Sequence, residues 1–262
     1  MQGYGPLDAL PLWGFFVAVL LLVLISVEAG YRLGQYRRSR SEKELEAPIG
    51  AMVGATLGLL AFLLAFTFGA AADRFDKRKQ VLLDEANAIG TAYLRAGMLP
   101  DRRQEVRALL REYVDTRLQA VQTGKIADGI RRSEQLQDQL WAQAVFLGER
   151  SPASIVVGLF VQSLNEVIDI HAKRVTVAVR NRIPGAIWLA LLSVAVIALA
   201  AMGYHVGIAG TSRSLAQVAV ALTFSVVIGL IADLDRPQEG TLTVSQQALV
   251  DLRQSMQAPR PP

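Results

Sequence analysis

The chain has 262 residues and a formal charge of +4, with 52% hydrophobic and 19% charged residues and no cysteine. It is too apolar for an ordinary soluble protein, yet it has too many charges to lie wholly within lipid, so two kinds of region are expected. The absence of cysteine excludes disulfides, thiolate nucleophiles and sulfur-ligated metals. Basic residues beside membrane spans explain the pI near 9.6, so we expect a lipid bilayer and no nucleic acid as a partner.

Four largely uncharged stretches are each close to the length that crosses a bilayer as a helix. They cover residues 11–31, 48–71, 184–204 and 213–232. The first differs from a signal peptide, because its apolar run is long, no basic residue precedes it and no small-residue cleavage site follows. We therefore expect it to be retained as the first of four transmembrane helices.

Residues 72–183 carry apolar side chains at spacings of three, four and seven, which is typical of amphipathic helices. The pattern predicts that the second span continues outward to about residue 97 and is followed by helices over 101–123, 126–147 and 152–182. Ser151 and Pro152 are typical of an N-cap and a first helical position. The predicted fold is an all-α membrane protein with segments 1–71, 72–183, 184–233 and a polar, partly disordered tail over 234–262.

The basic residues give conflicting signals about orientation. If all four spans cross, both chain ends and the 72–183 domain share one side. Basic residues follow the first span, which places the domain outside, whereas others precede the third span, which places it in the cytoplasm. These residues are Arg32, Arg37, Arg38, Arg40 and Lys43 after the first span, and Lys173, Arg174, Arg180 and Arg182 before the third.

The second span carries glycines and phenylalanines at four-residue steps along one slowly winding face. We call it the α2 face, and it comprises Gly50, Gly54, Gly58, Phe62 and Phe66. One interpretation is close helix packing at small residues. The other is that copies of this helix surround a symmetry axis, where the phenylalanine rings form an apolar constriction.

Three polar groups are further candidates. Glu28 lies inside a predicted span, where an acid is a functional suspect, but Arg32 one turn on favours structural pairing over a proton relay. Asp233 and Asp235 are expected to pair at the membrane edge with Arg74 or Arg78; a cation site is the alternative. Arg236 lies beside that pair and belongs to the same group. The last candidates are Glu85 and Asn87, whose side chains are expected to form hydrogen bonds with neighbouring helices.

Enzyme hypotheses find little support in the sequence. It contains no P-loop, dinucleotide fingerprint or nucleophile elbow. The two histidines, His171 and His205, lack a second ligand nearby, so we predict no metal site and no cofactor.

Three sequence segments carry a resemblance to a known family. They are Arg74–Arg78, Asp84–Ala92 and Asp233–Pro237. The chain resembles uncharacterised bacterial membrane proteins with a bestrophin-like domain, from the second span to Leu252. The more distant link to bestrophins implies a ring-shaped oligomer, four membrane helices per subunit, a helical cytoplasmic domain and an ion pore lined by the second helix. The long acidic calcium site of animal bestrophins is absent, and only Asp233 and Asp235 remain.

The leading hypothesis is thus a homo-oligomeric ion channel of the bacterial inner membrane, with Phe62 and Phe66 narrowing the pore and small inorganic ions as partners. The alternative is a non-conducting scaffold or sensor whose helical domain binds a protein. A proton-coupled device that uses Glu28 ranks third.

Overall fold

The computed structural model describes residues 10–40, 46–237 and 239–258, and these residues form eight α-helices without a strand. A five-residue π-helical turn, Thr176–Arg180, follows the fifth helix. The prediction of an all-α fold is confirmed. The helices are α1 (Leu12–Arg38), α2 (Glu46–Ala96), α3 (Arg103–Thr123), α4 (Ile126–Arg150), α5 (Ile155–Val175), α6 (Gly185–Ala209), α7 (Leu215–Asp235) and α8 (Gln247–Gln257).

Five of these helices are long and apolar enough to cross a membrane, by length and composition alone. Four of them, α1, α2, α6 and α7, contain the predicted spans. The fifth candidate is α5 with its extension to Ala178. The periodicity of α5 had placed it in the extramembrane domain, and it is the least apolar of the five.

The chain divides into two compact units, and α2 contributes to both. The membrane unit comprises the described residues of 4–74 and 182–243. The helical domain comprises the described residues of 75–181 and 244–262. Its inclusion of residues after 243 differs from the predicted domain limits, which assigned that stretch to a polar tail.

The helical domain has a core of large apolar side chains from the end of α2 and from α3, α4, α5 and α8. The helix α8 was not expected, because its segment is short and mostly polar. Its Leu249 is nonetheless fully buried, and the Tyr93 hydroxyl donates to the Met256 carbonyl at 3.0 Å. Arg253 also lies 2.6 Å from the Asp115 carboxylate. The predicted tail thus contains a helix that is packed into this core.

The start of α5 also differs from its predicted position. Ser154, not Ser151, is the N-cap residue, and its hydroxyl accepts from the Val157 N–H at 3.4 Å. The helix therefore begins at Ile155, three residues beyond Pro152. The Ser154 hydroxyl satisfies one of the N–H groups that lack a partner in the first turn of this helix.

In the membrane unit, α1 and α6 meet backbone to backbone through four glycines. A Cβ added to Gly30 would overlap the Ala200 carbonyl oxygen, and one added to Gly203 would overlap that of Val27. Gly34 and Gly207 are equally close to the opposite helix. We call these four residues the glycine interface. Sequence reasoning missed it, although both pairs have the G-x-x-x-G spacing of closely packed membrane helices.

Candidate functional site

The α2 face is largely uncovered in a single chain. The exposed fractions of Phe62 and Phe66 are 65% and 75%, and their ring centroids lie 6.4 Å apart in a stacked arrangement. Of the most apolar 18-residue stretch of α2, only 17% is buried. Two large apolar rings, one helical turn apart, thus project from α2 and are not covered by another helix in the part of the chain that the structure describes.

The glycines of the α2 face show the same openness. A Cβ added to Gly54 or Gly58 would meet no heavy atom within 4 Å, and one added to Gly50 would meet only the ring of His205, at 3.3 Å. Gly54 and Gly58 therefore do not serve close packing among the described residues, in contrast to the glycine interface of α1 and α6. The packing interpretation remains open only for contacts between copies.

Two acids and an arginine form a buried cluster at the end of α7. Asp235 accepts from the Arg182 Nε at 3.1 Å and from the Ile183 N–H at 2.9 Å. Asp233 accepts from the N–H of Thr241 at 3.0 Å and from the Thr241 hydroxyl. These contacts fix the chain segments before α6 and after α7 to the end of α7.

Arg236 and Gly240 complete this cluster. Arg236 is 3% exposed, and its Nη1 donates to the Leu10 carbonyl at 2.8 Å and to Glu239 at 3.1 Å. Gly240 has a φ of 115°, and a Cβ there would overlap the Asp233 carboxylate. Only glycine therefore fits this turn.

The predicted pairing of these aspartates with Arg74 or Arg78 stays a prediction. One partner of Asp235 is Arg182, which is 14% exposed and shortly precedes α6. Arg74 donates from Nη1 to the Ala70 carbonyl at 3.1 Å within its own helix, and Arg78 is buried.

Glu85 lies in the helical domain between two arginines. Its carboxylate is fully buried and contacts the Arg117 Nη2 at 3.2 Å and the Arg174 Nη1. Arg174 also donates to the Gln246 side chain at 3.1 Å. Glu85 thus joins α2 to α3 and α5, whereas Asn87, two residues on, is exposed.

A second buried polar group joins α3, α4 and α5. The Gln137 amide donates to the Tyr113 hydroxyl at 3.2 Å, and the same hydroxyl is hydrogen-bonded to Nδ1 of His171 at 3.0 Å. Burial raises the pKa of Tyr113, so the hydroxyl keeps its proton at neutral pH. Burial also lowers the pKa of Arg117 one turn further on α3. His171 is thus a hydrogen-bonded core residue.

Glu28 is paired with two arginines. Its Oε1 accepts from the Arg32 Nε at 2.7 Å and from the Arg213 Nη2 at 2.8 Å. The first contact was predicted from the four-residue spacing, and the second joins α1 to the α6–α7 loop. Arg213 could not be foreseen, because it is 185 residues away in the sequence.

The comparisons with known proteins agree on one fold. The profile of the bestrophin-like domain matches residues 15–249. A variant of a bacterial bestrophin homologue from Klebsiella pneumoniae has a TM-score of 0.69 at 14% identity, covering 92% of this chain and 97% of the other. A crystal structure described as a membrane protein has a TM-score of 0.68 at 15% identity, covering 94% and 97%. No curated protein matches the sequence.

Proposed function

Because this chain belongs to the bestrophin-like family, we propose that it is a homo-oligomeric ion channel of the bacterial inner membrane, with the α2 face of each copy lining a central pore. The observation that carries the proposal is the uncovered α2 face, with its open glycines and its two exposed phenylalanines.

The composition of the α2 face favours a pore or a neighbouring copy over lipid. The exposed sides of α1, α6 and α7 present large side chains such as Trp13, Leu189 and Leu215. Such side chains are suited to contact with acyl chains, because they present a large apolar surface to the lipid. Gly54 and Gly58 present almost no apolar side-chain surface. Small residues instead allow another helix to approach closely, or they widen a passage. Several copies of α2 around an axis satisfy both conditions.

Phe62 and Phe66 are the residues that we assign to the constriction. They lie one turn apart, so each copy contributes two stacked rings, and a ring of copies forms two apolar layers. An apolar constriction of this kind excludes water when it is narrow and conducts hydrated ions when it widens. The proposed transport requires no catalytic group.

The same proposal includes the topology. We propose that α1, α2, α6 and α7 cross the membrane and that α5 belongs to a helical domain on the cytoplasmic side. The buried polar groups of α5 support this placement, because Ser163 and His171 face the domain core. The family relationship supports the cytoplasmic side.

Oligomeric state is the first test. Native mass spectrometry of the protein in nanodiscs should give one discrete assembly of about four or more copies, because fewer helices cannot enclose a pore. A monomer or dimer would contradict the proposal and favour a scaffold or sensor that binds a protein partner through its helical domain.

Ion flux into liposomes is the second test. The double variant Phe62→Ala, Phe66→Ala should increase flux severalfold, because it removes both apolar layers. Phe68→Ala is the matched control, since residue 68 lies about 200° around the helix from Phe66. Equal flux in the double variant and the wild type would remove these residues from the pore.

A further inference from the structure

The carboxylate of Glu28 holds two exposed guanidinium groups side by side. Arg32 and Arg213 both donate to the same oxygen, Oε1, at 2.7 Å and 2.8 Å. Their side chains are 74% and 64% exposed. Each guanidinium has five N–H groups, so most of them remain directed away from Glu28. The three charges sum to +1, so one further negative charge would neutralise the group.

Arg213 is held in place by more than the ion pair. Its guanidinium lies over the buried ring of Tyr31, 5.2 Å from the centroid. The Tyr31 hydroxyl accepts from the Gln35 amide at 2.9 Å. A cation fixed in this way loses little side-chain freedom when it binds an anion, so binding costs less entropy.

The position of the pair along the helices corresponds to the lipid headgroup level. The apolar run of α1 ends at Val27, directly before Glu28, and α7 begins at Leu215, two residues after Arg213. Both guanidinium groups therefore lie where an apolar stretch of the polypeptide meets a polar one. Phosphate groups of a bilayer occupy the same level.

The helices that carry or follow the two arginines also expose apolar side chains. Ile25 is seven residues before Arg32, on the same side of α1, and is 65% exposed. Leu215 and Val218 at the start of α7 are 87% and 50% exposed. The helices α1 and α7 pack against each other, so the exposed apolar side chains belong to two neighbouring helices.

We propose that Arg32 and Arg213 bind the phosphate of an anionic phospholipid whose acyl chains lie along α1 and α7. Guanidinium groups match phosphate geometry with paired hydrogen bonds. Glu28 sets the two groups in position and limits the net charge to that of a single phosphodiester. The inference requires only that the chain lie in a membrane, and it is independent of pore formation.

Lipid retention tests the proposal directly. Purified full-length protein is mixed with phosphatidylglycerol, and bound lipid is counted by native mass spectrometry. The double variant Arg32→Gln, Arg213→Gln should retain about tenfold less phosphatidylglycerol, which corresponds to the loss of charge-assisted hydrogen bonds. The control is Arg131→Gln, which removes an equally exposed arginine that is also paired with an acid, on α4. Equal retention by all three proteins would overturn the proposal.

Two further measurements distinguish the source of the phosphate and guard against misfolding. Phosphatidylethanolamine should be retained severalfold less than phosphatidylglycerol, and glycerol 1-phosphate should not raise the thermal stability. Equal retention of both lipids would overturn the charge selectivity, and stabilisation by glycerol 1-phosphate would assign the site to a soluble ester. If the double variant does not fold by circular dichroism, Arg213→Gln alone must still reduce retention at least threefold.

Discussion

The helical domain and the membrane unit hold their helices together by opposite means. The helical domain fills its interior with large side chains and places a carboxylate, Glu85, between two arginines. The membrane unit brings α1 and α6 into backbone contact through the glycine interface, and the buried acids described above lie at the end of α7. Large side chains thus dominate the core of the helical domain, whereas glycines set the α1–α6 contact of the membrane unit.

The proposed topology, with one unit in lipid and the other in water, accounts for this difference. In water, burial of large apolar side chains releases enough free energy to fix the helices and to tolerate a buried, fully paired charge cluster. In lipid, apolar side chains gain little from leaving the acyl chains, so helices associate through close van der Waals contact, which glycine permits. Breaking the characteristic contact of each unit tests this contrast.

The largest effect is expected at Glu85. Glu85→Gln leaves Arg117 and Arg174 buried with no opposing carboxylate, and the free energy of unfolding should fall by about 3–5 kcal/mol. Asn87→Ala, two residues on and exposed, is the matched control and should change it by less than about 0.5 kcal/mol. Thermal unfolding followed by circular dichroism measures both. Similar melting curves for the two variants would mean that the cluster does not stabilise the domain.

The next effect is expected at the glycine interface. Gly203→Ala forces α1 and α6 apart, because the new methyl group would overlap the Val27 carbonyl, and should cost about 1–3 kcal/mol. Gly58→Ala has open space and should stabilise the single chain by up to about 1 kcal/mol through helix propensity. Opposite signs in detergent unfolding experiments would confirm the contrast; a loss at both positions would contradict it.

A smaller effect is expected at Tyr113. Tyr113→Phe keeps the ring but leaves the Gln137 amide and the His171 ring without their shared partner, at a cost of about 1–2 kcal/mol. Tyr36→Phe is the control, because Tyr36 is 52% exposed. Chemical denaturation in detergent should separate the two variants, and coincident curves would show that the hydroxyl contributes nothing to stability.

Local patterns sufficed for most helices and for the family. Hydropathy located α1, α2, α6 and α7, because an uncharged apolar run of span length is rare outside membrane helices. Its limits were short by several residues, since α1 continues to Arg38 and α6 to Ala209 beyond the apolar parts. A hydropathy pattern records where the solvent changes, whereas a helix ends where its hydrogen bonding ends.

Partners across the fold could not be predicted in the same way. For Asp235 the sequence suggested Arg74 or Arg78 at equal depth, and it did not suggest Arg182, which the structure places beside this carboxylate. Several arginines flank the predicted spans, and the sequence gives no distance that selects one. The helix α8 was missed for a related reason. Its few apolar residues do not form a clear helical pattern in the sequence, and only the folded core shows that Leu249 is buried.

The glycine interface also has a consequence for the order in which the protein is made. The helix α1 ends at Arg38, but its partner α6 is complete only at Ala209, about 170 residues later. At roughly 5–20 residues per second, α1 waits on the order of 10–30 s for that partner during synthesis. Throughout this interval Gly30 and Gly34 lack the helix that they contact in the folded chain, so assembly of the membrane unit is a late event in biosynthesis.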